Sequence, residues 1–354
     1  MTTAERDSGL RIVSLGGGTG LSSLLSGLKT YVGNQPGPNE EASQPWVESL
    51  TAVVTVTDDG GSSGRLRDEF QILPPGDIRN CMVALAEDEH LLTRLFQYRF
   101  ESEGDLSGHS FGNLFLAALA GVTGDFLEAI RVSGEVLKIR GKILPSTVED
   151  VSLVAELEDG KTLEGETRIV ESRARIKKLR LSREHCRPLP ETLEAISRAD
   201  VITIGPGSLY TSIIPSLLVD DIVEAIRGSH ATKVYICNIM TQPGETEGFS
   251  LEDHLRALGE HSGGLEFDCV LVNSALISEE LRARYLADGS VQVGLDEARR
   301  AAEAAGSSGN TGIVAKDLLH ESGVVRHDPG KLANALLEIY SSEKLSSCER
   351  VIGR

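Results

Sequence analysis

Short runs of β-branched and aliphatic residues recur along the chain, separated by segments whose apolar residues follow a helical period. This alternation limits the possible folds more than any other feature. The runs lie at residues 10–15, 52–56, 201–204, 234–237 and 269–272. They are too continuously apolar for half-solvated strands, which would alternate, so they read as strands of a parallel sheet covered on both faces. Between them, Leu21, Leu24, Leu25 and Leu28 recur at i, i+3, i+4 and i+7, as do Leu332, Ala335, Leu336 and Ile339. Each stripe predicts a helix laid on the sheet. The expected class is α/β with a mostly parallel sheet.

Two stretches break the rhythm. Residues 31–49 are rich in Gly, Pro, Asn, Gln and Glu and read as a surface loop. From residue 151 the pattern turns to alternation (Val151, Leu153, Ala155, Leu157) before an Asp159-Gly160 turn, and Ile176, Leu179 and Leu181 resume it. These mark a small antiparallel insertion, expected outside the ligand core. The domain reading is a core of residues 10–145 and 186–341, a β-rich insertion at 146–185 and a C-terminal tail at 342–354.

With 354 residues and 40% hydrophobic content, the chain can fill a large core. A net charge of −18 disfavours nucleic acid and anionic membranes, and no basic run offsets it. Five scattered cysteines show no metal-ligand spacing and read as reduced thiols. Residues 1–9 are polar, and nowhere do about 18 apolar residues run together. A cytoplasmic protein with no membrane insertion is expected.

The chemistry concentrates in the turns. The first strand ends in Gly16-Gly17-Gly18-Thr19-Gly20, directly before the leucine-striped helix. Outward-pointing amides and the positive end of a helix dipole suit a phosphate there, unless the turn merely packs helix on strand. A dinucleotide fingerprint counted from Gly16 would need glycine at Leu21, and a P-loop would need a Lys-Ser/Thr pair, so a nucleotide sugar is expected to bind more tightly than NAD. After the second strand, Asp58 and Asp59 could meet a ribose or a cation, Ser62 and Ser63 could bend around anionic oxygens, and Arg65 or Arg67 could neutralise phosphate. A flexible solvated loop is the alternative.

Asp77 could cap the next helix, with Arg79 and Asn80 in its first turn, where a cation is disfavoured unless an anion is nearby. His109 and Asn113 open a further helix, and His109 alone reads as structural or catalytic. A second glycine turn, Gly205-Pro206-Gly207-Ser208 with Tyr210 and Thr211 following, suits the other phosphate of a diphosphate. Asn238, Thr241 and Gln242 offer polar groups to a base or sugar, although an ordinary loop at the sheet edge would contain them too.

Together these segments, GGGTGLSSLLSGLK at 16–29, TDDGGSSGRLR at 57–67, PPGDIRN at 74–80, GHSFGN at 108–113, GPGSLYTS at 205–212 and NIMTQPGET at 238–246, resemble the YvcK-type gluconeogenesis-factor family. That family is a branch of the CofD-like 2-phospho-L-lactate transferases. The resemblance implies a Rossmann-like three-layer α/β/α core and binding of a nucleotide sugar of the UDP-N-acetylglucosamine type. It also implies a cytoplasmic role in cell shape on gluconeogenic carbon sources, with cell-envelope regulatory proteins and a homo-oligomer as expected partners. A late contribution to the ligand site would fall on Tyr285 and Arg326. The transferase side of the family moves a phospholactyl group using acidic residues and a divalent cation such as Mg2+. Asp58 and Asp59 would be its metal ligands here, while the neighbouring motifs resemble the regulator branch. The two function readings are thus a non-catalytic nucleotide-sugar-binding regulator and, as the alternative, a CofD-like transferase.

Overall fold

The structure is a computed structural model that describes residues 9–33, 46–87, 90–101, 103–296 and 312–352. The strands are β1 Leu10–Gly16, β2 Val47–Val54, β3 Lys142–Pro145, β4 Leu153–Leu157, β5 Thr162–Glu164, β6 Ile176–Leu181, β7 Val201–Ile204, β8 Thr232–Ile236, β9 Cys269–Asn273, β10 Gly312–Lys316, β11 Leu319–Glu321 and β12 Val325–His327. Seven of them form one sheet in the order β10-β9-β8-β7-β1-β2-β3. Every pairing in that sheet is parallel. β1 is the central strand, with Ile12 beside Leu50 on one side and Val201 on the other.

Strand side chains alternate between two cores. Ile12, Val201, Val234 and Leu271 join the first helix, Gly18–Leu28, and the last, Pro329–Ile352, on one face, whereas Val13, Ile202, Tyr235 and Val270 join a second cluster on the other. Leu21, Leu24, Leu25 and Leu28 are fully buried. The three-layer α/β/α form therefore follows from strands that are apolar on both faces. No helix among the described residues is long and apolar enough to cross a membrane.

The sheet is wider than the five apolar runs imply. β3 and β10 are its short outer strands, starting or ending in exposed Lys142 and Lys316, and edge strands are half-covered and carry charge. β2 starts at Val47, inside the segment expected to be a loop, because Val47 pairs with Leu10 and is buried. The rest of that expected loop, residues 34–45, lies outside the described residues, as do residues 1–8 and 353–354. The segment read as a tail continues the last helix to Ile352.

The insertion forms the antiparallel sheet β5-β4-β6 with a helix, Glu166–Ser172, between β5 and β6. Its alternating residues, Val151, Leu153, Ala155 and Leu157, pack into the second core rather than into one of their own. Arg67 ties its start to the main body through Asp150 and the Val151 carbonyl. A third, two-stranded sheet pairs β11 with β12 in front of the last helix.

Candidate functional site

Strand order reverses between β1 and β7, since the chain proceeds outward through β2 and β3 and then returns to the other side of β1. In open α/β sheets a crevice forms at such a point, outside the carboxyl ends of the strands. Both glycine turns lie there. β1 runs into Gly17 and the helix from Gly18, and β7 runs into residues 205–208 and then a wide helical turn, Leu209–Ile213. The turns touch: a Cβ on Gly20 would sit 2.6 Å from the Pro206 carbonyl oxygen, and one on Gly17 would strike the Asp77 carboxylate. Only glycine lets the two backbones approach this closely.

Between them opens a cleft of roughly 370 Å³, within the range of small-molecule sites. Its floor is Gly17, Gly18, Thr19, Gly20, Gly207 and Ser208; one wall is Asn238 to Pro243, and the other comes from Tyr285, Val325, Arg326 and His327. The two walls share an apolar patch in which Ile239, Met240 and Ile277 pack with Tyr285 and Val325. One part of the cleft is thus apolar and another is backbone amide and hydroxyl.

The polar side chains of the first wall are committed. Asn238 accepts from the Gly207 amide at 3.2 Å and donates to the Gly207 carbonyl at 2.7 Å, and Gln242 donates to the Ser208 hydroxyl at 2.8 Å. These bonds pin the second glycine turn. Thr241 accepts from the Val291 amide at 2.9 Å. The Tyr285 hydroxyl accepts from the Val325 amide at 3.0 Å and so fixes β12, whose next residue is Arg326. Arg326 is exposed at the cleft mouth, and its guanidinium has no protein partner among the described residues. An uncommitted cation beside two amide-rich turns is suited to an anion.

Of the residues expected from sequence, the cleft brings together Gly17, Gly18, Thr19, Gly20, Gly207, Ser208, Asn238, Thr241, Gln242, Tyr285 and Arg326. Gly16, Gly205 and Pro206 support its floor as the strand ends behind it. Asn80 lies in an adjoining groove that shares Thr19, Ser23 and Arg326 with the cleft. The others form a layer behind the first turn. Asp77 is not the cap of its helix, which begins at Gly76 without a side-chain cap; it lies under the glycine turn, and burial, with Asp58 nearby, raises its pKa to about 6.

Arg79 is buried and donates to Asn80 at 2.6 Å, with burial and then Arg99 lowering its pKa. Ser62 joins the His109 ring at 3.0 Å and accepts from Asn113 at 3.1 Å, while a Cβ on Gly76 would meet Ser63. Burial, with Arg65 adding to it, lowers the pKa of His109. Arg65 donates to the Ser107 carbonyl at 2.6 Å, and Arg67 is engaged by Asp150, so neither faces the cleft.

The acidic pair divides. Asp58 accepts from the Gly60 amide at 2.9 Å, and Asp59 accepts from the amide and hydroxyl of Thr167 in the insertion at 2.9 and 2.7 Å. Among the described residues no group of three or more His, Cys, Asp or Glu is placed to hold a metal ion. Glu166, next to Thr167, is half-buried near Asp58, Glu245, Asp77 and Asp59, and desolvation followed by these charges raises its pKa well above the usual carboxylate range. Tyr210 points away from the cleft into the second core, its ring against Phe249 and His261, and burial lifts its pKa to about 12. Thr211 donates to Glu245 at 3.2 Å.

Sequence reasoning passed over Ser23, Ser212, Met240, Asp288, Ser290, Val325 and His327, all of which line the cleft. Ser212 and Met240 stand inside motifs already singled out, and Val325 and His327 flank Arg326.

The family model for 2-phospho-L-lactate transferase CofD matches residues 12–311. The chain belongs to the CofD family. Within this family it falls in the gluconeogenesis-factor branch. It is 50% identical over 335 residues, 94% of its length, to a putative gluconeogenesis factor of Nostoc, covering 69% of that protein. It is 47% identical to a gluconeogenesis factor of Halalkalibacterium halodurans, spanning 92% of this chain and 95% of that one, and 46% identical to the gluconeogenesis factor of Bacillus subtilis, spanning 93% and 98%. A crystal structure of a Bacillus halodurans protein, 47% identical, superposes with a TM-score of 0.82 over 93% of this chain and 99% of the other. The CofD-family architecture, a large parallel sheet between helices with a small antiparallel sheet, is common to both.

Proposed function

We propose that this chain is a cytoplasmic gluconeogenesis factor that binds a nucleotide sugar of the UDP-N-acetylglucosamine type at the sheet's switch point and acts as a regulator without turnover, in the control of cell shape on gluconeogenic carbon sources. The observation that carries the reading is the uncommitted guanidinium of Arg326 above two abutting glycine turns, with an apolar patch at the same cleft. A diphosphate takes the turns and the arginine, and a base or sugar takes the apolar wall. Similarity to the gluconeogenesis factors of Halalkalibacterium halodurans and Bacillus subtilis supports the same role.

The transferase alternative needs a group that activates an attacking hydroxyl. His109, Asp58 and Asp59, its candidates by sequence, are not among the residues lining the cleft, which favours the regulator. The test is native mass spectrometry of the purified protein for a carried ligand, followed by calorimetry with UDP-N-acetylglucosamine and with NAD. Tighter binding of the nucleotide sugar is expected, and tighter binding of NAD would overturn the reading. Appearance of a transfer product on incubation with Mg2+ and alcohol acceptors would restore the transferase.

A further inference from the structure

The cleft does not end at Arg326. A second groove of roughly 380 Å³ continues from it along the first helix, sharing Thr19, Ser23 and Arg326 with the cleft. Its sides are the helices Gly76–Leu85 and His90–Gln97 and the start of the last helix at Pro329. Thr19, Ser22, Ser23 and Ser26 recur at i, i+3, i+4 and i+7 and form its floor, on the face of Gly18–Leu28 turned away from the buried leucines. A helix face that meets only water ordinarily carries charge, and serine inside a helix competes with the backbone, yet Gly18–Leu28 contains no charged residue. Lys29 closes the far end, donating to the Ala86 carbonyl at 2.7 Å.

The groove differs from the cleft in what it leaves unoccupied. Asn238 and Gln242 in the cleft wall are committed to the second glycine turn, whereas the side chains of Ser26, Thr93 and Gln97 in the groove have no protein partner among the described residues. Ser22 and Ser23 donate to the Gly18 and Thr19 carbonyls at 2.9 and 3.0 Å, which leaves their oxygens as acceptors. Beside these hydroxyls, Val83 and Ala84 give one small apolar spot. Neither an aromatic ring nor a carboxylate lines the groove. It has no platform on which a base would stack, and its lysine is engaged, so its chemistry is that of neutral groups that give and take hydrogen bonds.

We propose that this groove is the sugar subsite. The base lies against Tyr285 and Met240, the diphosphate crosses the glycine turns under Arg326, and a hydroxylated, N-acylated hexose runs along the first helix with its acyl methyl at Val83. Arg326 stands where the two compartments meet, which is the place of a charged linker between two neutral ends. A site that hydrogen-bonds its ligand in this way discriminates against analogues lacking the group. The inference rests on the nucleotide-sugar reading of the cleft and adds to it the direction in which the ligand lies.

The test uses the full chain and calorimetry with UDP, UDP-glucose and UDP-N-acetylglucosamine. Wild type should bind UDP-N-acetylglucosamine about tenfold more tightly than UDP, with UDP-glucose between them. T93V/Q97A removes two of the groove's unpaired groups, and S26L fills its floor. These side chains are exposed or half-buried, and thermal melts establish that each variant is folded. Both variants should bring UDP-N-acetylglucosamine to within about threefold of UDP and leave UDP within about twofold of its wild-type affinity, whereas R326A should weaken both ligands alike. A measurement on wild type needs no variant: in nuclear Overhauser spectra of the methyl-labelled protein, the acetyl methyl of the ligand should contact the Val83 methyls. If wild type binds UDP and the nucleotide sugar equally, if the folded groove variants leave the ratio of the two affinities unchanged, or if the acetyl group contacts Met240 instead, the sugar does not lie in the groove and the reading of the cleft stands. If wild type binds neither UDP nor a nucleotide sugar, the reading of the cleft itself fails.

Discussion

Glu245 takes the Tyr210 amide on one carboxylate oxygen and the Thr211 hydroxyl on the other, both at 3.2 Å, from a fully enclosed position behind the second glycine turn. Burial raises its pKa to about 7, and the two hydrogen bonds only partly oppose this. The native state therefore binds a proton that the unfolded chain releases near its ordinary value of 4.5. Stability from this group is full below about pH 4.5 and is lost as pH rises through about 7, by on the order of 3 kcal/mol. Asp77, raised to about 6, acts in the same direction over a lower window. Glu245→Gln mimics the protonated acid. Its melting temperature should exceed that of wild type at pH 8 and converge with it at pH 5, as followed by scanning calorimetry.

Arg326→Ala should weaken nucleotide-sugar binding about tenfold or more, because a charge-assisted bond to phosphate is commonly worth about 1.5–3 kcal/mol. Folding should survive, since the side chain is exposed. The control is Arg11→Ala: Arg11 pairs with Asp200 at 3.0 Å at the amino-terminal end of the sheet, away from the cleft. That variant should bind within a factor of about two of wild type, and equal affinity in wild type and Arg326→Ala would remove the arginine from the site.

Gly20→Ala forces a methyl group against the Pro206 carbonyl and the Gly207 amide, both backbone and neither free to swing aside. Overpacking of this kind costs about 1–3 kcal/mol, and here it also spreads the cleft floor. A lower melting temperature and at least tenfold weaker binding are expected together. Gly121→Ala meets nothing within 4 Å on an exposed helix surface, so it should leave binding unchanged and slightly raise the melting temperature.

Thr167→Val removes the hydroxyl bond to Asp59 and leaves the amide bond in place. A loss of about 0.5–1.5 kcal/mol is expected. Hydrogen exchange should quicken in the helix Glu166–Ser172 and stay constant in the main sheet. Unchanged exchange in that helix would mean that the contact does not hold the insertion to the core.

Central strands and the first glycine turn were legible because their signals are local: an apolar run, five residues of turn chemistry, and a leucine stripe one helix long. β3 and β10 were not, since an edge strand needs fewer buried residues and its register comes from its neighbour. Asp77 is not the cap because the helix starts at Gly76, with Pro75 in the cap position, two residues earlier than a cap at Asp77 would place it. Tyr210 was grouped with the ligand residues, yet the wide turn after Ser208 rotates it into the core. Asn238 and Gln242 were expected to face a ligand with free amides, and only the folded chain shows those amides spent on Gly207 and Ser208.

The sheet's central position for β1 bears on how the chain emerges during synthesis. Arg11, in β1, and its partner Asp200, just before β7, are 189 residues apart. At roughly 5–20 residues per second, about 10–40 s pass before β7 can cover that side of β1. Within that interval β2 and then β3 can join β1 as each is made, leaving one inner edge of β1 open and apolar, which is the arrangement that invites wrong pairing between nascent chains. Chaperone engagement during translation should therefore concentrate before residue 204 is made and fall away soon after.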